Sequence, residues 1–125
     1  MRSGILRPED IEYLDANFSC RWEEPSAVEM RVVIKNYELP DGYNVPTADL
    51  MVMIPSDYPA GLLDMFYFGT ELARQDGRAI QGLSSETHFG RQWQRWSRHY
   101  TWQPGIDSLV SHIEYVKNEL IHSAK

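Results

Sequence analysis

The residues with the most chemistry to offer lie in one run, Trp93-Gln94-Arg95-Trp96-Ser97-Arg98-His99. Trp93 and Trp96 are three apart, as are Trp96 and His99. One helical turn would set these three on one face and Arg91, Arg95 and Arg98 on another. Tryptophan and arginine dominate interface hot spots, which makes Trp93, Arg95, Trp96, Arg98 and His99 candidate partner-binding residues. The guanidinium groups suit an acidic partner or a C-terminal carboxylate. The competing reading is structural, with the indoles covering a sheet and the arginines solvated. His99, with Ser97 or Arg98 beside it, is also the candidate for acid–base catalysis.

Other chemistries are less well supplied. Cys20 is the single cysteine, so no internal disulfide or cysteine-rich zinc site can form. Arg21 beside it would favour a thiolate. Phe18, Cys20 and Trp22 alternate onto one side of a short strand that Pro25 stops, however, and a buried structural thiol is the expectation. Ser84, Ser85 and Ser97 lack the Gly-x-Ser-x-Gly setting of a nucleophile elbow, and Gly82 and Gly90 form no phosphate-binding pattern. His88 and His99 are eleven apart and His112 and His122 ten apart, which fits neither a helical metal pair nor a zinc finger. These histidines are expected on the surface or at helix caps, with no metal and no cofactor.

The elements that must position the run follow from periodicity. Pro8-Glu9-Asp10 opens a helix, because proline suits the first helical position and acids its positive end, and Ile11, Leu14 and Phe18 give it an apolar face. Val28, Met30, Val32 and Ile34 alternate with polar neighbours, as do Ala48, Leu50, Val52 and Ile54, so two antiparallel strands flank a turn-rich loop from Leu39 to Pro46. Met51 and Met53 fall on the outer face of the second, which would suit a structural subunit of a larger assembly. Met65-Phe66-Tyr67-Phe68 reads as a short third strand. From Gly69 to Gly90 the pattern is lost, and a loop that long in a compact domain is usually functional. Ile106, Leu109, Val110, Ile113, Val116, Leu120 and Ile121 recur at helical spacing and make a C-terminal helix. The order predicts an α+β domain with helices on one face of an antiparallel meander.

The 125 residues suit one domain, 1–125. Eighteen acidic against twelve basic residues give a net charge of -6, which argues against a nucleic-acid partner, and Arg91 to Arg98 is a local basic exception. No stretch approaches the apolar length of a membrane span, and Met1 to Pro8 lacks the apolar core of a secretion signal, so no membrane and a cytoplasmic location are expected.

Specific stretches resemble a known superfamily. They are Leu39-Pro40-Asp41-Gly42-Tyr43-Asn44, Ile54 to Pro59, Asp64-Met65-Phe66-Tyr67, the Trp93 to His99 run, and Trp102-Gln103-Pro104-Gly105-Ile106-Asp107. Together they resemble the ubiquitin-conjugating (UBC-like) superfamily, and more narrowly its prokaryotic family E. The resemblance implies a UBC-like fold with an N-terminal helix, a meander, a long irregular segment at the active-site region and a C-terminal helix. It also implies a bacterial ubiquitin-like pathway whose partners are a ubiquitin-like protein, its activating enzyme and a JAB-type metallopeptidase of the same operon, some related operons acting against phage. A conjugating enzyme of this superfamily carries its cysteine shortly before the Trp-x-Pro and a His-Pro-Asn motif after the aromatic strand. Leu83 to Tyr100 holds no cysteine, and Phe66-Tyr67-Phe68 runs into Gly69-Thr70-Glu71. With thiol and oxyanion donor both gone, transthiolation at the usual place is excluded. The expectation is a catalytically degenerate binding protein. The alternatives are non-cysteine chemistry centred on His99 with Ser97, and the structural subunit.

Overall fold

The computed structural model describes residues 6–25 and 29–125, in an α+β arrangement of two helices and one antiparallel sheet. Helix α1 (Pro8–Asn17) starts on Pro8, and the Asp10 carboxylate accepts the Arg7 backbone N–H at 3.1 Å, satisfying a donor that the first turn leaves free. The strands are β1 (Arg21–Pro25), β2 (Glu29–Glu38), β3 (Thr47–Pro55), β4 (Phe66–Gly69), β5 (Leu83–His88) and β6 (Arg91–Trp96), in the sheet order β1-β2-β3-β4-β6-β5. Helix α2 (Leu109–Ser123) is capped by Ser108 and buries the stripe Leu109, Ile113, Val116 and Leu120.

Alternation sorts the sheet into two faces. Met30, Val32, Ile34, Leu50, Val52, Ile54, Phe66, Phe68 and Trp96 point toward the helices and form the main core. Val33, Met51, Tyr67 and Trp93 point the other way into a second buried cluster, with Met53 packed beside it. Tyr58 ties the helices to the sheet. Its hydroxyl donates to Asp10 Oδ2 at 2.8 Å and accepts the Leu109 N–H at 2.7 Å. The Trp102 indole donates to the Pro59 carbonyl at 3.0 Å, so the Tyr-Pro turn and the Trp-x-Pro segment are bonded to each other.

Several expectations need correction. The Trp93 to Trp96 stretch is a strand, not a helical turn, because β6 is sandwiched between β4 and β5 and takes its hydrogen bonds from both. The pattern-free segment is irregular only over 70–82. Gly69 closes β4, and 83–88 is an edge strand whose polar sequence hides it from a hydrophobicity pattern. Phe89 and Gly90, both at positive φ (57° and 69°), make the tight two-residue turn between β5 and β6. Met51 faces outward yet is fully buried, because Tyr67 and Trp93 pack around it. Cys20 is exposed, lying just before β1 rather than within it. His112 is buried, not on the surface, since it falls on the inner face of α2. Ile106 precedes α2 and stands 74% exposed. Val28, assigned to the second strand, lies outside the described residues.

Among the described residues no helix is long and apolar enough to cross a membrane.

Candidate functional site

A strand separates neighbours that a helix would gather, and β6 does this to the Trp93 to His99 run. Trp96 points into the main core, stacked on Phe66 at 5.4 Å between centroids and edge-on to Phe68. Trp93 points to the opposite face, where its indole donates to the His88 carbonyl at 3.2 Å and the Arg91 guanidinium lies over its ring. Both indoles are fully buried, so they build the sheet and present no docking surface.

Arg95 shares the outer face with Trp93's neighbours. Its Nη1 meets Glu86 Oε2 at 2.8 Å, and Glu86 also accepts from the Tyr67 hydroxyl and lies 3.0 Å from His88 Nε2. Burial pushes the Glu86 carboxyl up, but the bonds from His88 and Tyr67 and the charge of Arg95 outweigh it and hold it below its ordinary value. Asp49 is held low in the same way: burial opposes, while the Asn36 N–H, Arg91 and Lys35 prevail. Lys35, Arg91 and Arg95 are therefore each tied to a carboxylate.

Past the end of β6 the chain crosses to the helix side. The Ser97 N–H donates to the Gly82 carbonyl at 3.0 Å. Arg98 then reaches into a polar groove of about 650 Å³, lined by Arg74, Arg78, Gly82, Ser97, Arg98 and His122 among others. The Arg98 guanidinium meets Glu119 on α2 at 2.9 Å and donates to the carbonyls of Gln81 and Ser97 and to the Ser123 hydroxyl. Gly82 has φ +76°, and a Cβ there would stand 2.7 Å from Arg98 Nη1, so glycine makes room for the arginine head. Arg74 grips Asp76 with a two-pronged contact (3.0 and 2.6 Å) and donates to the Ser123 carbonyl at the end of α2. That contact, with the Arg78 N–H, holds the Asp76 carboxyl below its ordinary value. Arg78 is different: its side chain is 74% exposed and its Nε lies 3.8 Å from Asp76. Arg98 is paired with Glu119 and Arg74 with Asp76, so Arg78 is the exposed guanidinium at the groove. Arg78 can meet an anion there, and a carboxylate matches its fork geometry.

His99 turns away from the groove. It is exposed, with Nδ1 3.1 Å from Asp64 Oδ2. The next residue, Tyr100, bonds His112 Nδ1 at 2.9 Å. His112 Nε2 must then be the protonated nitrogen, since it meets the Met65 carbonyl at 3.0 Å and a carbonyl only accepts. Burial lowers the His112 pKa to about 4.

The five residues singled out for partner binding are thus dispersed: two in the core, Arg95 on the outer face, Arg98 in the groove and His99 beside Asp64. Ser97 lines the groove with Arg98. Sequence reasoning missed Arg74, Arg78 and His122. The Arg74-Gln75-Asp76-Gly77-Arg78 spacing inside the long polar segment was the available signal. Cys20 opens onto a separate depression with Asn17, Lys35 and Lys117, which shares no lining residue with the groove. Among the described residues, no three histidine, cysteine or carboxylate side chains gather as a metal ion would require.

The family model for prokaryotic E2 family E matches residues 6–123 of the chain. No curated protein and no solved structure matches it.

Proposed function

The chain belongs to prokaryotic E2 family E, and on that premise we propose that it acts by binding rather than by thioester exchange. Membership makes it an E2-like component of a bacterial ubiquitin-conjugation-like system. The finer reading is a catalytically degenerate member that holds a ubiquitin-like protein, its activating enzyme, or both, in a pathway that includes a JAB-type metallopeptidase. The observation that carries it is the arginine groove beside a segment, Leu83 to Tyr100, that contains no thiol. Transthiolation needs a thiolate to receive the acyl group. The groove offers instead the exposed Arg78 guanidinium, suited to a carboxylate or an acidic patch.

The test is a titration of the chain with the ubiquitin-like protein of its gene cluster. Binding at tens of micromolar or tighter is expected. Arg78→Glu should weaken it at least tenfold, while Arg95→Ala, on the other face of the sheet, should leave it unchanged. No binding, or equal effects of the two substitutions, sinks the reading.

A second reading has one observation in its favour. The Asp64 carboxylate orients the exposed His99 ring, as a general base would require. In that reading His99, with Ser97 or Arg98, assists attack on a ubiquitin-like C-terminus. The structure places Ser97 in the groove, and His99 is turned toward Asp64, so this pair lacks the mutual contact of a nucleophile and its base.

A further inference from the structure

We propose that the open edge of β5 is a docking strand for an extended C-terminal tail, which pairs antiparallel to β5 and places its terminal carboxylate in the arginine groove. This rests on the binding reading above and names the part of the partner that is held.

The two edges of the sheet differ. The β1 edge carries the charged Arg21 and Glu23 on either side of the large Trp22, and charges discourage another strand from pairing. The β5 edge, Leu-Ser-Ser-Glu-Thr-His, has no proline, lysine or arginine, and its register against β6 runs from Leu83↔Trp96 to His88↔Arg91 without a bulge. Its one carboxylate, Glu86, is drawn onto the outer face by Arg95, Tyr67 and His88 rather than projecting from the edge.

The hydrogen-bond parity of the hairpin identifies the groups on offer. A two-residue turn makes His88 and Arg91 a mutually bonded pair, and in an antiparallel ladder bonded pairs recur every second residue. Glu86 with Trp93 and Ser84 with Arg95 follow, and the Ser97 N–H to Gly82 carbonyl bond continues the same parity past the strand. The N–H and C=O groups of Leu83, Ser85 and Thr87 therefore point out of the sheet. Among the described residues no backbone group pairs with them. Ser84, Ser85 and Thr87 are small and exposed, and of the larger side chains Glu86 and His88 are bonded to each other on the outer face. Main-chain pairing at such an edge is the β-augmentation mode of peptide recognition.

Charge fixes the direction. Gln81 and Gly82 line the groove and lead directly into Leu83, so the groove lies at the start of β5. A tail antiparallel to β5 runs from His88 toward Leu83 and delivers its C-terminus to the groove, where Arg78 is the exposed cation. A parallel tail would bring its N-terminal side, with no carboxylate, to the same cation. The carboxylate complements Arg78, whose exposed side chain has the freedom to close on it.

The test uses the full chain with the ubiquitin-like protein of its gene cluster, and with that protein's synthetic C-terminal peptide of about nine residues, enough to span a six-residue strand and reach the groove. The peptide is made as free acid and as amide. The acid should bind at least tenfold more tightly than the amide, and the Leu83, Ser85 and Thr87 amides should gain protection from hydrogen exchange. Ser85→Pro removes one outward N–H without touching the bonds to β6, and should weaken binding tenfold or more. Thermal melting monitors whether that variant folds, and exchange in the wild type answers the question independently of it. Binding of the whole protein with no protection at β5 overturns the docking strand and leaves the binding reading standing. Absence of binding to the wild type overturns both. Protection of the same amides by self-association, without peptide, also overturns it.

Discussion

Arg98 and Glu119 join the end of β6 to α2 through a 2.9 Å ion pair. Both side chains are largely buried, and the remaining Arg98 donors are bonded to Gln81, Ser97 and Ser123. One residue therefore fixes three segments that line the groove.

Arg98→Ala should consequently cost about 2 kcal/mol of unfolding free energy, from lost charge-assisted bonds and an unpaired Glu119. Arg98→Lys should recover part of it, since a lysine keeps the charge but cannot reproduce the fork. Chemical denaturation of the two variants checks the order.

Tyr58 is the comparable joint between α1, α2 and the Tyr-Pro turn. Tyr58→Phe removes the donor to Asp10 and the acceptor for the Leu109 N–H in a buried site, so it should destabilise the fold by about 1–3 kcal/mol. A loss under ~0.5 kcal/mol in denaturant titration would contradict the assigned bonds.

His112 gives the chain a pH dependence. Its folded-state pKa of about 4 lies below the ordinary histidine value, so the unfolded chain binds the proton more readily. Its contribution is thus fully present above the unfolded pKa near 6.5 and is lost as pH falls from there toward 4. Stability should drop by about 2 kcal/mol between pH 7 and pH 5 from this residue. His112→Gln should flatten that interval relative to wild type. An unchanged slope would contradict a neutral, buried His112.

The buried indoles should behave as packing residues. Trp96→Ala should cost about 3–5 kcal/mol, because it opens a cavity against Phe66 and Phe68. Trp93→Phe, which keeps most of the volume, should leave partner binding unchanged in a titration. A tenfold loss of binding with an intact melt would restore Trp93 to the docking surface.

Strong periodicity made α1, the paired β2 and β3, and α2 legible in the sequence, and β4 showed as a short apolar run because it is buried on both faces. The β5–β6 hairpin was hidden for a physical reason. Leu83 to His88 lies at an edge and buries little, while Trp93 and Trp96 serve opposite faces of one strand and so mimic a helical spacing of three. Buried Met51 could not be foreseen, since its cover comes from Tyr67 and Trp93 on strands brought beside it only by folding. Of the candidate site, Ser97 and Arg98 were legible. Arg74, Arg78 and His122 were not, because a loop and a distant helix end meet them only in three dimensions.

The central claim is binding without transthiolation, and one incubation tests it most directly. The chain is mixed with the activating enzyme, ATP and the ubiquitin-like protein of its gene cluster, and intact mass is measured with and without reductant. The account predicts no adduct on this chain, alongside a reversible complex with the ubiquitin-like protein. A thiol-sensitive adduct lost in Cys20→Ser, or a stable adduct lost in His99→Ala, would contradict it.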